Sequence, residues 1–281
     1  MSWRAIARKD VSDASRSLIL WIVTAVFLLF GVLVAGAFVL LANVEGPGGE
    51  PASSVNALLF IISPVALFAP IIALLVGYKA IVGERDSGSL KVLLSLPHTR
   101  WDVMVGKLVG RTVVMAVSVT LAFVVMGLIV TVFVEPIDIP AFLVVFALSI
   151  LYAATFVSIA IAISGAVRSS TVAAAAMFGI FALFLMFWDL LLFGLNYLIE
   201  GSVFPDMTDI PTWYHFVDML SPDGAYTVAV QGLLPEVDIY GGQFPEAVPL
   251  VISEWAALVV LALYLVVPFG LGYLRFRAVD L

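Results

Sequence analysis

The chain has 281 residues, of which 63% are hydrophobic and only 12% are charged, and it contains no cysteine. Soluble domains usually carry about 25% charged residues, so this composition excludes a water-soluble globular enzyme. The lack of cysteine excludes disulfide bonds, thiolate metal sites and a thiol nucleophile. The composition therefore indicates an integral membrane protein.

Residues 1–17 form an N-terminal segment that is too polar to cross a bilayer. On a helical wheel, one face collects the apolar residues Trp3, Ile6, Ala7, Val11, Ala14 and Leu18, and the opposite face carries Arg4, Arg8, Ser12 and Arg16. Asp10 interrupts the apolar face. This pattern predicts an amphipathic helix in the plane of the lipid headgroups, with its bases attracted to anionic lipid. The alternative is a basic flank that only sets the topology.

Six apolar runs are long enough to cross a bilayer as helices, since a span needs about 20 residues. None shows the alternation of a barrel strand. The predicted fold class is therefore an all-α integral membrane protein, a six-transmembrane-helix bundle forming a single transmembrane domain over residues 1–281. The predicted spans are residues 18–42, 57–78, 103–134, 139–164, 171–196 and 250–274.

The basic residues of the chain are segregated. All thirteen Lys and Arg residues fall in segments 1–17 and 79–111, the turn near 165–170, and the C-terminal tail. The positive-inside rule then places both termini and the 79–102 loop in the cytoplasm, and the long 197–249 segment outside, in a multi-pass protein of the cell membrane. The outer segments are acidic, which we interpret as solubility in the high-salt medium of a prokaryote; the alternative is cation binding.

The 79–102 loop carries the signals of a short helix. Ser87 or Ser89 can cap it, and Pro97 ends it. Leu90, Leu93 and Leu94 follow each other at helical spacing and make an apolar stripe. Such a helix is suited to be held by a cytoplasmic partner, or alternatively to rest on the bilayer surface.

The residues of this loop carry a family resemblance. The pattern E-R-x-x-G-x-L-x-x-L-L-x-x-P over residues 84–97, followed by Arg100 and the Gly106-Lys107 pair, resembles the signature of type-2 ABC exporter permeases. The likeness is greatest to the branch that includes permeases of nitrous-oxide-reductase maturation, often linked to copper. The resemblance implies a coupling helix that docks into a groove of a separate ATPase subunit. It assigns this coupling to Glu84, Arg85, Gly88, Leu90, Leu93, Leu94 and Pro97, with the first two in contact with the ATPase and the leucines in its cleft.

The resemblance also implies partners. A second permease copy, as a homodimer or heterodimer, and an ATPase subunit that binds ATP and Mg²⁺ would complete the transporter. No cofactor, metal or nucleic acid is expected on this chain, which has no G-x-x-x-x-G-K-[ST] sequence. We therefore expect a transport subunit that couples ATP hydrolysis on the partner chain to transport, in the export direction.

Two other function classes are considered. An ATP-independent secondary transporter usually shows paired discontinuous spans with buried polar sites, and that signal is weak here. An intramembrane hydrolase is disfavoured because no H-E-x-x-H motif occurs and no serine, histidine and acid fall at one depth.

Several residues beside these motifs also have predicted roles. Arg100 and Lys107 are candidate membrane-interface anchors that could reach lipid headgroups. Gly106 and Gly110 permit close helix contact, which we interpret as packing.

In the outer segment 197–249, Ser221 and Pro222 have the cap-then-proline order that begins a helix. By resemblance this region forms short external helices that cover the outer mouth, which makes Ser221 and Pro222 a candidate external gate. The alternative is a solvated loop that only stabilises the fold.

Overall fold

A computed structural model of the chain describes residues 3–42, 54–95, 99–134, 136–206, 210–237, 239–240, 244–245 and 248–278. These residues form twelve α-helices and contain no β-strand. The helices are α1 (Trp3–Ser15), α2 (Leu18–Ala42), α3 (Ser54–Gly77), α4 (Val82–Asp86), α5 (Ser89–Ser95), α6 (Arg100–Phe133), α7 (Ile139–Ala166), α8 (Ser170–Ala182), α9 (Trp188–Glu200), α10 (Thr212–Met219), α11 (Pro222–Leu233) and α12 (Glu254–Ala278).

Within the described ranges, six helical stretches are long and apolar enough to cross a membrane, which confirms the predicted six-helix membrane fold. The fifth stretch is continuous over Ser170–Glu200, because a π-helical turn at Leu183–Phe187 joins α8 to α9. The sixth helix begins at Glu254, later than residue 250, because Leu250–Ile252 forms a 3₁₀ turn before it.

Side-chain caps fix where three of the spans begin. Thr99 accepts a hydrogen bond from the Asp102 amide, and the Asp102 carboxylate accepts one from the Thr99 amide, so a complete capping box starts α6. Asp138 and Ser169 cap α7 and α8 in the same way through single bonds. These caps satisfy amide groups that a helix start leaves without partners.

The centre of the bundle is α7, which contacts α3, α6, α11 and α12. Of its apolar stretch 61% is buried, against 17% for the Ser170–Glu200 span. α2 and α3 pack beside α6 and α7, and α1 lies along α6. We call the end of the bundle that holds the 79–102 loop, the start of α6 and the turn at 167–169 the basic end.

Candidate functional site

The 79–102 loop folds into two short helices, α4 and α5, at the basic end. Gly88 joins them with a φ of +75°, a left-handed conformation that favours glycine and gives the Gly88 of the motif a structural reason. Leu90 is fully buried and Leu93 is 9% exposed, and both belong to the main hydrophobic core of this chain. Pro97 and the Leu94 side chain lie outside what the structure describes.

This packing corrects one predicted role. The resemblance placed the leucines in a cleft of the ATPase, whereas Leu90 and Leu93 are buried in the permease itself. Helical spacing identifies an apolar stripe but not the surface that covers it, and for Leu90 and Leu93 that surface is the core of this chain. Among the side chains of this segment that the structure describes, the exposed ones are polar: Asp86, Ser87, Ser89, Lys91 and Ser95.

Four charged side chains form a buried ion-pair network, which we call the Asp10 network. Lys107 Nζ lies 2.9 Å from Asp10 Oδ1 and 2.6 Å from Glu84 Oε1. Arg111 Nε lies 2.9 Å from Asp10 Oδ2. The Asp10 and Lys107 side chains are 2% and 7% exposed. Two acids balance two bases, as buried charges require, and the network joins α1, α4 and α6.

Two sequence-based assignments change here. Lys107 was a candidate lipid anchor, but its ammonium group is buried between two carboxylates of the same chain. Asp10 appeared only as an interruption of an apolar face. An acid on the buried face of an amphipathic helix is itself a signal for a buried basic partner, and that signal could have found Asp10.

The N-terminal segment is helical over Trp3–Ser15, as predicted, and its place in the headgroup plane stays a prediction. Its apolar face packs against α6, a contact that the sequence did not predict. Gly106 and Gly110 make this possible, because an added Cβ would lie 2.7 Å from Ile6 Cβ at Gly106 and 2.8 Å from Asp10 Oδ2 at Gly110. The packing interpretation of these two glycines is therefore confirmed, and the partner is α1.

The second charged residue of the motif links the loop to another part of the chain. The Arg85 guanidinium donates to the Val167 carbonyl, in the turn between α7 and α8, and to the Gly165 carbonyl at 3.5 Å. Next to it, the Asp86 carboxylate accepts hydrogen bonds from the amide and hydroxyl of Ser170, the first residue of α8. Ser164 on α7 accepts from the Ile81 and Val82 amides at 3.0 Å each, so the loop is tied firmly to this turn.

These contacts occupy the charged groups of Glu84 and Arg85 within this chain. Both were assigned to contact with the ATPase, but the ionic groups of both are engaged within this chain, with Lys107 and with backbone carbonyls. In this structure they attach the loop to the spans.

Arg100, the other candidate lipid anchor, binds the end of α12. Its guanidinium donates to the Phe276 carbonyl and, at 3.2 Å, to the Arg277 carbonyl, and lies 5.4 Å from the centre of the Phe276 ring. A cation at the carbonyl end of a helix is favourable for that helix. Arg100 therefore holds α12 against α6. Its guanidinium binds this chain, whereas the sequence made it a candidate anchor to lipid headgroups.

At the opposite end, Ser221 and Pro222 begin α11 as predicted, with Ser221 Oγ accepting a hydrogen bond from the Gly224 amide at 2.9 Å. Both residues are buried, and α11 packs between α7 and α12. The Tyr226 hydroxyl lies 2.9 Å from Ser149 Oγ on α7. Since Ser149 lies ten residues into α7, about 15 Å along its axis, α11 is inserted into the bundle and does not merely cover it.

Among the described residues, no three His, Cys, Asp or Glu side chains lie close enough together to hold a metal ion. His215 is buried among aromatic rings, 5.0 Å from the Tyr240 ring centre and 5.4 Å from that of Phe244. His98 lies outside the described residues.

Comparison with known proteins gives one consistent result. The model of the family described as "ABC-2 family transporter protein" matches residues 4–281. A protein of Stutzerimonas stutzeri named "Probable ABC transporter permease protein NosY" is 34% identical over 207 residues, covering 72% of this chain and 73% of that protein. Its namesake in Pseudomonas aeruginosa is 29% identical over 278 residues, covering 97% of this chain and 96% of that protein.

Proposed function

The chain belongs to the ABC-2 family of transporter permeases, and from this membership we propose how its basic end takes part in ATP-driven transport. It is a membrane permease subunit of an ABC transporter, similar to the NosY permeases. We propose that the basic end faces the cytoplasm of the cell, with both termini on that side, and that a separate ATPase subunit binds there.

The contact surface proposed for the ATPase is the polar side of the 79–102 loop. Asp86, Ser87, Ser89 and Lys91 are exposed around the left-handed turn at Gly88. The buried leucines hold this surface in place from behind. A partner that binds here moves α4 and α5 as one unit, because Ser87 Oγ and Ser89 Oγ lie 2.9 Å apart across the junction.

The observation that carries the proposal is the set of contacts that radiate from the loop to the spans. Glu84 connects it through Lys107 to α6 and α1. Arg85 and Asp86 connect it to the turn before the fifth span. Because buried ion pairs and hydrogen bonds resist separation, a displacement of the loop by the ATPase is transmitted to these helices together.

A second permease copy is proposed to pack along the Ser170–Glu200 span. This span is the least buried of the six, and it exposes Phe178, Leu190 and Leu198 together with the carboxylate of Asp189. Placing a charged side chain against lipid is unfavourable, whereas a partner helix can supply polar groups. Disulfide crosslinking of a Phe178→Cys variant in membranes, in a chain that has no other cysteine, tests this contact.

The coupling proposal separates docking from transmission, and two variants test them apart. Lys91→Glu changes the exposed surface only, and we expect weaker co-purification of an ABC ATPase encoded beside this gene. Glu84→Gln removes a carboxylate bound to Lys107, and we expect the ATPase to remain bound while its activity no longer responds to the permease. Asp13→Asn, an exposed change on α1 outside the 79–102 loop, serves as a control for both measurements.

Two outcomes would refute these assignments. Loss of ATPase binding in Glu84→Gln, with unchanged thermal stability, would show that Glu84 contributes directly to the surface that binds the ATPase. Full ATPase binding and full coupling in both variants would show that the 79–102 loop neither binds the ATPase nor transmits its movement.

A further inference from the structure

A tyrosine in the middle of the bundle joins three helices through one hydroxyl group. Tyr152 lies thirteen residues into α7 and fourteen before its end, so its hydroxyl is near the midpoint of the helix. Tyr152 Oη lies 2.9 Å from the Ala66 carbonyl on α3 and 3.2 Å from Asp223 Oδ1 on α11. The ring stacks on Tyr226 of α11 with the centres 4.8 Å apart.

The Ala66 carbonyl needs this hydroxyl. In an α-helix it would accept a hydrogen bond from the amide of residue 70, but residue 70 is Pro70, which has no N–H group. A carbonyl left without a partner inside the bundle is costly. The Tyr152 hydroxyl is the donor that replaces the missing amide.

A phenol has a single proton to donate. The Tyr152 hydroxyl has two acceptors within reach, the Ala66 carbonyl at 2.9 Å and Asp223 Oδ1 at 3.2 Å, and it can give a full hydrogen bond to only one of them. An ionised carboxylate at Asp223 therefore competes with the Ala66 carbonyl for the phenol proton. A protonated Asp223 can instead donate to Tyr152 Oη and leave the phenol proton to Ala66, so this arrangement favours a neutral carboxyl at Asp223.

The surroundings of Asp223 favour the same state. The titratable side chains that face it or its helix are Tyr152 on α7, Asp189 on α9, Asp218 on α10, Tyr226 on α11, Tyr240 after α11, and Tyr264 and Glu254 on α12. The α3 sequence has no titratable side chain, and no Lys or Arg occurs between Arg168 and Arg275. Burial raises the pKa of Asp223; a hydrogen bond donated by Tyr152 to the ionised carboxylate opposes this shift, and the charge of Asp189 adds to it.

We propose that Asp223 is a proton-binding site of this permease, loaded while α11 is packed against α7 and emptied when α11 leaves that position. The packed arrangement then binds one proton more than the separated one. By linkage it is fully favoured below the ordinary pKa of an aspartic acid, and this advantage is lost as the pH rises toward and through the raised pKa of Asp223. Movement of α11 is thereby coupled to proton release. The inference depends on the contacts among Ala66, Tyr152 and Asp223 and is independent of the coupling proposal at the basic end.

Infrared spectroscopy of the purified full-length protein tests the protonation state directly. We expect the C=O stretching band of a hydrogen-bonded carboxylic acid at neutral pH, with a shift on exchange into D₂O. Asp218, whose pKa is raised to about 7, also carries a proton in part at neutral pH, so the comparison is made in an Asp218→Asn background. There the band should disappear when Asp223→Asn is added, and it should change frequency when Tyr152→Phe is added, which removes the acceptor. Absence of the band in Asp218→Asn, or its persistence after Asp223→Asn is added, would overturn the proposal.

Thiol labelling tests the link to movement, since the chain has no cysteine of its own. Val228→Cys places a thiol on the fully buried side of α11, and Val203→Cys is a matched control at a site that is 48% exposed. The ratio of their labelling rates cancels the titration of the thiol itself. We expect this ratio to rise with pH, by up to about tenfold per pH unit within the titration window, and to be independent of pH when Asp223→Asn is added. A rise that survives Asp223→Asn would show that Asp223 does not control α11.

Discussion

Replacement of Asp10 by asparagine tests the buried ion-pair network with almost no change in side-chain shape. In the wild type, Lys107 and Arg111 each bind one oxygen of the Asp10 carboxylate, and only 2% of that side chain is exposed. Asp10→Asn leaves two bases facing the single carboxylate of Glu84. Breaking a buried pair by removal of one partner costs about 3–5 kcal/mol. Because Lys107 keeps Glu84 at 2.6 Å, we expect the lower end, about 3 kcal/mol.

The measurement is thermal unfolding of the detergent-solubilised protein. With a shift of about 2–4 °C per kcal/mol for a chain of this size class, Asp10→Asn should lower the Tm by about 6–12 °C. Asp13→Asn is the matched control, because Asp13 is exposed on the same helix and such changes stay within about 0.5 kcal/mol.

A double-mutant cycle with Lys107→Met adds a second criterion. The losses in the double variant should be smaller than the sum of the two single losses, since the two residues interact directly. Equal shifts for Asp10→Asn and Asp13→Asn, or strictly additive losses, would refute the reasoning.

Three further predictions follow from packing and charge. Gly106→Ala should destabilise the protein by about 1–3 kcal/mol, because its new Cβ meets α1, whereas Gly179→Ala, which has no atom within 4 Å of the new Cβ, should be neutral or stabilising in the same unfolding assay. Leu90→Ala should lower the free energy of unfolding by about 2–5 kcal/mol because Leu90 is fully buried in the core. Lys91→Ala, at the exposed neighbour, should leave the Tm unchanged. Equal losses of stability in the two variants would show that Leu90 is not buried in this way. Burial and nearby carboxylates raise the pKa of Asp218 to about 7. Its contribution to the stability of the α10–α11 region is therefore present at acidic pH and is lost as the pH rises through about 7. In Asp218→Asn, the curve of Tm against pH should be flatter than in the wild type.

The fold and the family were accessible from the sequence to a large degree. Long apolar runs predict spans because a bilayer accepts few charges, and six such helices are present in the described residues. Short-range signals were equally readable. Ser221 and Pro222 begin a helix as expected, since a cap acts on an amide only three residues away.

The contacts of the 84–97 segment were not predicted. The motif lies between the second and third spans at the basic end, yet Glu84, Arg85 and Leu90 all face this chain. A sequence pattern gives the face of a helix on which a side chain lies, but it does not identify the part of the protein, or of a partner, that packs against that face. Whether the exposed side of the loop binds an ATPase stays a prediction.

What the sequence determined by itself is therefore local or compositional: membrane residence, the number of spans, helix caps, and the family pattern. Only the tertiary structure decided the long-range pairs. Asp10 meets Lys107 across 97 positions, and the carbonyl released by Pro70 meets a tyrosine that lies 86 positions beyond Ala66. Buried charges and unpaired carbonyls demand partners, but the chain supplies several candidates for each, and the packing of the helices selects among them.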